Sequence, residues 1–283
     1  MSIVVTAATG QLGSLVIDEL LQRVPADQVV AVARNAAKAA PIAERGVEVR
    51  IADYNDREAL AKAFGAGDTV LLISGLDPNR LDQHKTVIAL AKEAGVARIA
   101  YTSVLGGPEA DFELAADHRA TEQAILDSGL PYTFLRNGWY SEVYTDQIPV
   151  QLAHGVIGSA GDGRIASAAR RDYAAAAAVV LTGDGHEKRA YELNGDVSFT
   201  LTEYAAELAK QSGQTVAYNN VSPAEHLQVL TAAGIPAQFA PILVGVDNAI
   251  ERGLLSGRGS DLTTLIARPT TPVADTIAAA LKR

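Results

Sequence analysis

The stretch Val5-Thr6-Ala7-Ala8-Thr9-Gly10-Gln11-Leu12-Gly13 joins a short apolar run, Ile3 to Thr6, to a segment from Gln11 to Arg23. That segment places Leu12, Leu15, Val16, Leu20 and Leu21 near one face at helical spacing, so the order is strand, small-residue turn, helix. Small residues at 7, 10 and 13 suit a tight turn, a close backbone approach to a pyrophosphate and close helix–strand packing. The helix start supplies free N–H donors and a positive dipole end for phosphate oxygens. Thr6, Thr9, Gly10, Gln11, Leu12 and Gly13 are therefore expected to hold a dinucleotide. Ala7 stands where this motif carries its first glycine.

Strand and helix alternate outward from that turn. Val29–Ala33, Val47–Ile51, Val70–Ile73, Arg98–Thr102 and Tyr132–Leu135 read as further strands. Helices are expected after Ala33 up to Arg45, at Asp56–Phe64, at Leu81–Ala94 with Gly95 as its stop, and at Leu114–Leu126. Uninterrupted apolar strands separated by helices imply a parallel sheet covered on both faces, the doubly wound Rossmann architecture.

After Trp139 the rhythm breaks. Gly155 to Ile165 holds four glycines, with Asp162-Gly163 resembling a hairpin turn. Asp172 is the expected N-cap of an Ala-rich helix, and Thr200-Leu201-Thr202-Glu203 is a capping box starting another. Strands are expected at Ala190–Leu193 and Val216–Val221, and helices at Pro223–Ala233, Ala237–Arg252 and after Pro272. The expected organisation is a dinucleotide-binding domain over residues 1–138. A smaller mixed α/β lobe over 139–283, interleaved with the first domain's sheet, would close a cleft at the carboxyl ends of the strands.

Composition removes several classes. The chain has 283 residues, 24 Lys+Arg against 33 Asp+Glu, and a net charge of −9, which disfavours nucleic acid and anionic membrane as partners. There is no cysteine, so disulfides, thiol catalysis and thiolate metal sites are excluded. The five histidines form no ligand-spaced cluster, and no metal is expected. Met1 to Val5 has no basic stretch and no apolar run reaches the length of a membrane span, so a cytoplasmic protein is expected.

The remaining strand ends fill in the expected site. Ala33-Arg34-Asn35, followed by Lys38, ends the second strand where an NAD site would carry an acid. A guanidinium there pairs with a 2′-phosphate, favouring NADPH over NADH. Asp53 follows the third strand, Ser74 and Gly75 the fourth, Thr102 and Ser103 close the fifth, and Asn137 ends the sixth. None of the nine tyrosines has Lys four residues on. The helix after the fifth strand instead carries Asp117-His118-Arg119-Ala120-Thr121-Glu122, with His118 and Glu122 one turn apart. His118, oriented by that carboxylate, is the candidate proton donor or relay. Trp139 and Tyr140 are candidates for an aromatic wall against a flat substrate.

These features together resemble the atypical, NmrA-like branch of the short-chain dehydrogenase/reductase superfamily, whose ordinary members use a Tyr-x-x-x-Lys pair. The glycine turn, Ala33-Arg34-Asn35, Leu72-Ile73-Ser74, Ala100-Tyr101-Thr102-Ser103, Leu135-Arg136-Asn137-Gly138-Trp139-Tyr140, Gly161-Asp162-Gly163 and Leu265-Ile266-Ala267-Arg268-Pro269-Thr270-Thr271-Pro272 resemble its group of bacterial quinone and triphenylmethane reductases. The resemblance implies NADPH over the glycine turn, with its nicotinamide facing a planar acceptor. It also implies catalytic roles among His118, Asn137 and Tyr140, substrate contacts from Trp139 and Tyr140, and no flavin. A quinone leaves a far less basic oxyanion than a ketone does, which accounts for the missing Tyr–Lys pair. The expected activity is hydride transfer from NADPH to quinones, by an enzyme with no partner beyond its small acceptor and a second copy in a homodimer. Two alternatives stand beside it: a non-catalytic dinucleotide sensor, and a dye or C=C reductase on the same scaffold. Replacing Arg34 with Ala is expected to weaken NADPH binding much more than NADH binding in calorimetric titration; equal losses would remove the 2′-phosphate assignment.

Overall fold

The computed structural model describes residues 1–283. Its strands are β1 (Ile3–Val5), β2 (Val29–Ala33), β3 (Glu48–Ile51), β4 (Thr69–Leu72), β5 (Arg98–Val104), β6 (Tyr132–Asn137), β7 (Val156–Gly158), β8 (Arg189–Leu193) and β9 (Tyr218–Asn220). Seven of them form one sheet in the order β3-β2-β1-β4-β5-β6-β8. Pairing is parallel from β3 to β6, with Val4 opposite both Val30 and Val70, Leu71 opposite Ala100, and Ser103 opposite Arg136. This is the doubly wound fold expected from the sequence. The strand order reverses between β1 and β4, the crevice where such sheets take their ligands.

Strands buried on both faces explain the unbroken apolar runs: every residue of β1, β2 and β5 is buried. One face packs Val4, Val30, Val70, Leu72, Ile99 and Tyr101 against Val87, Ile88 and Ala91 of the helix Arg80–Ala94 and Ile125 of the helix Ala115–Ser128. Gly95 ends the former helix in the left-handed conformation, φ +71°, as a C-terminal glycine should.

The chain divides into two compact units. The first comprises Met1–Gly107, Asp117–Asn137 and Arg170–Glu192; the second comprises Pro108–Ala116, Gly138–Ala169 and Leu193–Arg283. One crossing of the chain lies between Asn137 and Gly138, a residue before the break expected after 138. The helix Arg170–Thr182 and most of β8 return to the first unit, where that helix packs on Gln11–Leu20.

Three local readings differ. Asp172 is not an N-cap: it sits inside the first turn of Arg170–Thr182 and is fully buried. Asp162-Gly163 is not a hairpin turn, because β7 pairs in parallel with β9, some sixty residues on in sequence, and not with a neighbouring strand. The turn instead closes through Gly163 N–H to Ala160 O, 3.0 Å. Short helices at Glu142–Thr145, Ile148–His154 and Asp261–Ile266 carry no sequence signal strong enough to have been expected. The Thr200 capping box is present as read, with Thr200 and Glu203 bonding each other's backbone N–H.

The turn after β1 is close-packed at backbone level. A Cβ on Gly13 would lie 2.4 Å from Ala7 O and 2.9 Å from Ala8 Cα. Ala7 has φ +48°, a left-handed conformation that costs an alanine about 1–2 kcal/mol. Gly13→Ala is expected to lower stability in urea unfolding by about 1–3 kcal/mol. Ala7→Gly is expected to raise it by less than about 1 kcal/mol, since relieved strain is partly offset by the glycine's greater unfolded freedom.

Candidate active site

The cofactor candidates of the first unit gather at the carboxyl ends of β1 to β6. Gly10 precedes the helix Gln11–Leu20 in extended conformation and offers no side-chain cap, so the first-turn N–H groups are left for an external acceptor. Thr9 is partly exposed, Gly10 and Gln11 are exposed, and Leu12 and Gly13 are buried beneath them. Gly10 N–H closes the turn on Ala7 O at 2.9 Å. The residues present fit a pyrophosphate, with Gly10 giving the backbone access and Gly13 the close packing.

Thr6 takes a different part from the one its place in the motif suggested. Its hydroxyl donates to Leu71 O (2.9 Å) and accepts from Tyr54 OH (2.5 Å) and Ile73 N–H (3.0 Å). One donor and two lone pairs are then all used, so the side chain ties strands together and has nothing left for a ligand. Tyr54, whose hydroxyl oxygen also lies 3.2 Å from Ile73 O, had no signal in the sequence.

At the end of β2 the Arg34 side chain is 77% exposed, with Nε 3.8 Å from Asp53 Oδ2. Asp53 Oδ1 is held by the backbone and side-chain nitrogens of Asn55. Asn35 caps the helix Ala36–Ala43 on the N–H of Lys38, whose side chain is exposed. Two exposed cations, Arg34 and Lys38, thus follow the end of β2, Arg34 anchored only loosely. Ser74 N–H donates to Thr102 Oγ1 at 2.8 Å, linking the ends of β4 and β5 beside the exposed Gly75.

The His118–Glu122 partnership expected from helical spacing does not form. Glu122 is engaged elsewhere: Arg136 Nε and Nη2 reach its two oxygens at 2.9 and 2.8 Å, and Ser103 Oγ donates to Oε1 at 2.6 Å. Arg136 Nη1 reaches Glu192 Oε1 at 2.9 Å, and Glu192 Oε2 takes the N–H of Gly106 at 2.7 Å. The hydroxyl hydrogen of Ser103 is therefore committed to Glu122 and unavailable to a substrate. Gly107 is obligatory here, since a Cβ would fall 2.2 Å from the guanidinium carbon of Arg136. Arg136 belongs to the motif read around Asn137, but its carboxylate partners come from a helix and from β8, separations no local pattern encodes.

His118 instead has its Nδ1 2.8 Å from Tyr101 OH. His84 stacks edge-on to Tyr101 and bonds Thr121 Oγ1 at 3.0 Å. Arg80, paired with Asp117 at 2.6 Å, completes the cluster. Burial, then the neighbouring His84 and Arg80, pull the His118 imidazole down to about 3. Burial and Arg80 pull His84 down to about 4. Both rings are neutral across the physiological range, so His118 is not charged near pH 7. Asn137 is buried at the end of β6, its carbonyl receiving Leu105 N–H at 2.9 Å.

Trp139 and Tyr140 lie in the second unit. Trp139 lines a cavity of about 60 Å³ with Tyr144, Leu201, Leu243, His226 and Asp247. Tyr140 is partly buried, and its backbone bridges to Ala168.

The chain is similar to known proteins over most of its length. Residues 7–184 match the family model described as NAD(P)H-binding. Quinone oxidoreductase 2 of Escherichia coli is 49% identical over 277 residues, 97% of each chain. The crystal structure of the NADPH-dependent quinone oxidoreductase from E. coli complexed with NADPH superposes with a TM-score of 0.96 over 99% of each chain, at 47% identity. Triphenylmethane reductase of a Citrobacter species gives 0.94 over the full length of both chains, at 41% identity. The chain belongs to the NAD(P)H-binding family.

The two depressed histidines set an acid limit on stability. Each takes up a proton near pH 6.5 when unfolded but only near 4 or 3 when folded, so their contribution is complete above 6.5 and shrinks as pH falls below it. The urea midpoint is expected to drop between pH 6.5 and 5, His84 alone contributing up to ~1.4 kcal/mol per unit. His84→Gln is expected to flatten that slope.

Proposed function

We propose that this protein is a reductase that transfers hydride from NADPH to quinones. The observation that carries the reading is near-full-length identity of 49% to quinone oxidoreductase 2, on a chain whose own site lacks the Tyr–Lys acid. Bound NADPH supplies the hydride. The backbone N–H groups from Gln11 onward hold the pyrophosphate, and Arg34 and Lys38 meet the 2′-phosphate. The linked ends of β4 and β5 at Ser74 and Thr102, together with Asn137, bound the nicotinamide end. Trp139 and Tyr140 are assigned to the acceptor. A quinone needs orientation and exclusion of water more than a strong acid, because the oxyanion it leaves is weakly basic. This matches a site in which Glu122 and Arg136 neutralise each other where the usual dyad would work. The enzyme is read as cytoplasmic; no helix is long and apolar enough to cross a membrane.

The 41% identity to triphenylmethane reductase favours a second acceptor class, triphenylmethane dyes. The test is the fall in reduced-nicotinamide absorbance when 1,4-benzoquinone, a naphthoquinone or a triphenylmethane dye is added to protein and NADPH. Quinone turnover well above the dye rate is expected. Dye turnover alone would transfer the assignment to dyes, and NADPH binding without any turnover would leave a dinucleotide sensor.

A further inference from the structure

A cluster of neutral rings lies between two helices at the carboxyl end of the first unit's sheet. His84 and Arg80 stand in the opening turns of Arg80–Ala94, and Asp117, His118 and Thr121 in the opening turns of Ala115–Ser128. These helices run back from the ends of β4 and β5, so their first turns share the end of the sheet that carries the glycine turn. Tyr101 reaches up from β5, fully buried, to put its hydroxyl 2.8 Å from His118 Nδ1.

The direction of that hydrogen bond follows from its partners. A phenol is the stronger donor and a neutral imidazole nitrogen the stronger acceptor, so Tyr101 donates and Nδ1 accepts. Nδ1 therefore carries no proton, and the ring hydrogen sits on Nε2. The groups facing this pair preserve that state. Arg80 is cationic and compensated by Asp117 at 2.6 Å. His84 stacks edge-on to Tyr101 and is engaged by Thr121. The carboxylate of Glu122, which could have drawn a proton onto His118, is bound by Arg136 and Ser103. His118 is only partly buried, and its Nδ1 is the nitrogen turned to Tyr101.

We propose that His118 acts as a neutral hydrogen-bond donor through Nε2–H to the oxygen of the hydride acceptor, with Tyr101 as the positioning residue that fixes its tautomer. The inference rests on the reductase reading. Hydride passes from the nicotinamide C–H of NADPH to one quinone oxygen, leaving NADP+, and the two transferred electrons leave a hydroquinone monoanion whose charge lies on the other oxygen. His118 donates a hydrogen bond to that oxygen and keeps its proton. Water then supplies the proton that completes the hydroquinone. The charge appears only as the reaction proceeds, so the bond strengthens in the transition state.

The test begins with nitrogen-15 NMR of the full chain labelled at histidine, with His118 assigned from a His118→Leu variant. Expected in the wild type is a ring protonated at Nε2, bare at Nδ1, and unchanged from pH 5 to 8. Tyr101→Phe is expected to release the tautomer preference. In benzoquinone turnover, His118→Leu is expected to lower kcat and kcat/KM together, by about a hundredfold. His118→Gln, which keeps an N–H donor, should recover part of the loss, and the wild-type kcat should be flat from pH 5 to 8. A His118 that titrates between pH 5.5 and 7.5, or that carries its proton on Nδ1, would overturn the proposal, as would full activity in His118→Leu. Absence of any quinone turnover would overturn the reductase reading and with it this role of His118, whereas a proton on Nδ1 in an enzyme that turns over quinone would overturn the proposal alone.

Discussion

The site end of the first unit is organised around one guanidinium. Arg136 holds Glu122 with two bonds and Glu192 with a third, Ser103 and Gly106 bond the same carboxylates, and Gly107 lies against the guanidinium face. These contacts fasten β5, β6, β8, the helix Ala115–Ser128 and the turn after β5. One positive group facing a buried carboxylate, Glu122, and a half-buried one, Glu192, is tolerable only while every oxygen finds a donor, and removing the partner of the buried one typically costs about 3–5 kcal/mol. The same arrangement engages the hydrogen-bonding capacity of Glu122, and the low affinity of the nearby His84 and His118 for protons leaves both rings neutral.

The sheet was legible because parallel strands are buried on both faces, which forces apolar runs such as Val29–Ala33 and Ile99–Tyr101 into the sequence. Capping motifs were legible for a similar reason: Thr200 and Glu203 satisfy each other within one turn. The second unit was less so. β7 and β9 are three residues each and are joined by pairing across about sixty residues, so neither carries enough pattern to announce its partner. Asp172 reads locally as a cap, but its burial comes from packing of the helix Arg170–Thr182.

For the site, backbone requirements were readable and side-chain partnerships were not. Gly13 is demanded by a contact at 2.4 Å to Ala7 O, and Gly10 sits close to the same oxygen at 3.1 Å, a constraint written at the positions themselves. Helical spacing linked His118 with Glu122, yet both turned to residues on neighbouring strands, Tyr101 for one and Ser103 and Arg136 for the other. Spacing along a helix fixes which side chains can meet, but strand register decides which ones do. Thr6 shows the same limit, since the capacity of its hydroxyl is consumed by Leu71, Ile73 and Tyr54.

The chain passes between its two units five times, and neither unit is a continuous piece of sequence. Neither can therefore be produced by cutting the gene at one place, and limited proteolysis at any of the three inner crossings divides both units between the two fragments. The chain's one tryptophan, Trp139, lies in the second unit, so indole emission is a local signal there while the nucleotide-binding unit is dark at that wavelength. Backbone circular dichroism follows both. A gap between the two signals during unfolding would mean that the interleaved chain melts in parts, whereas coincidence would mean that the repeated crossings weld it into a single cooperative body.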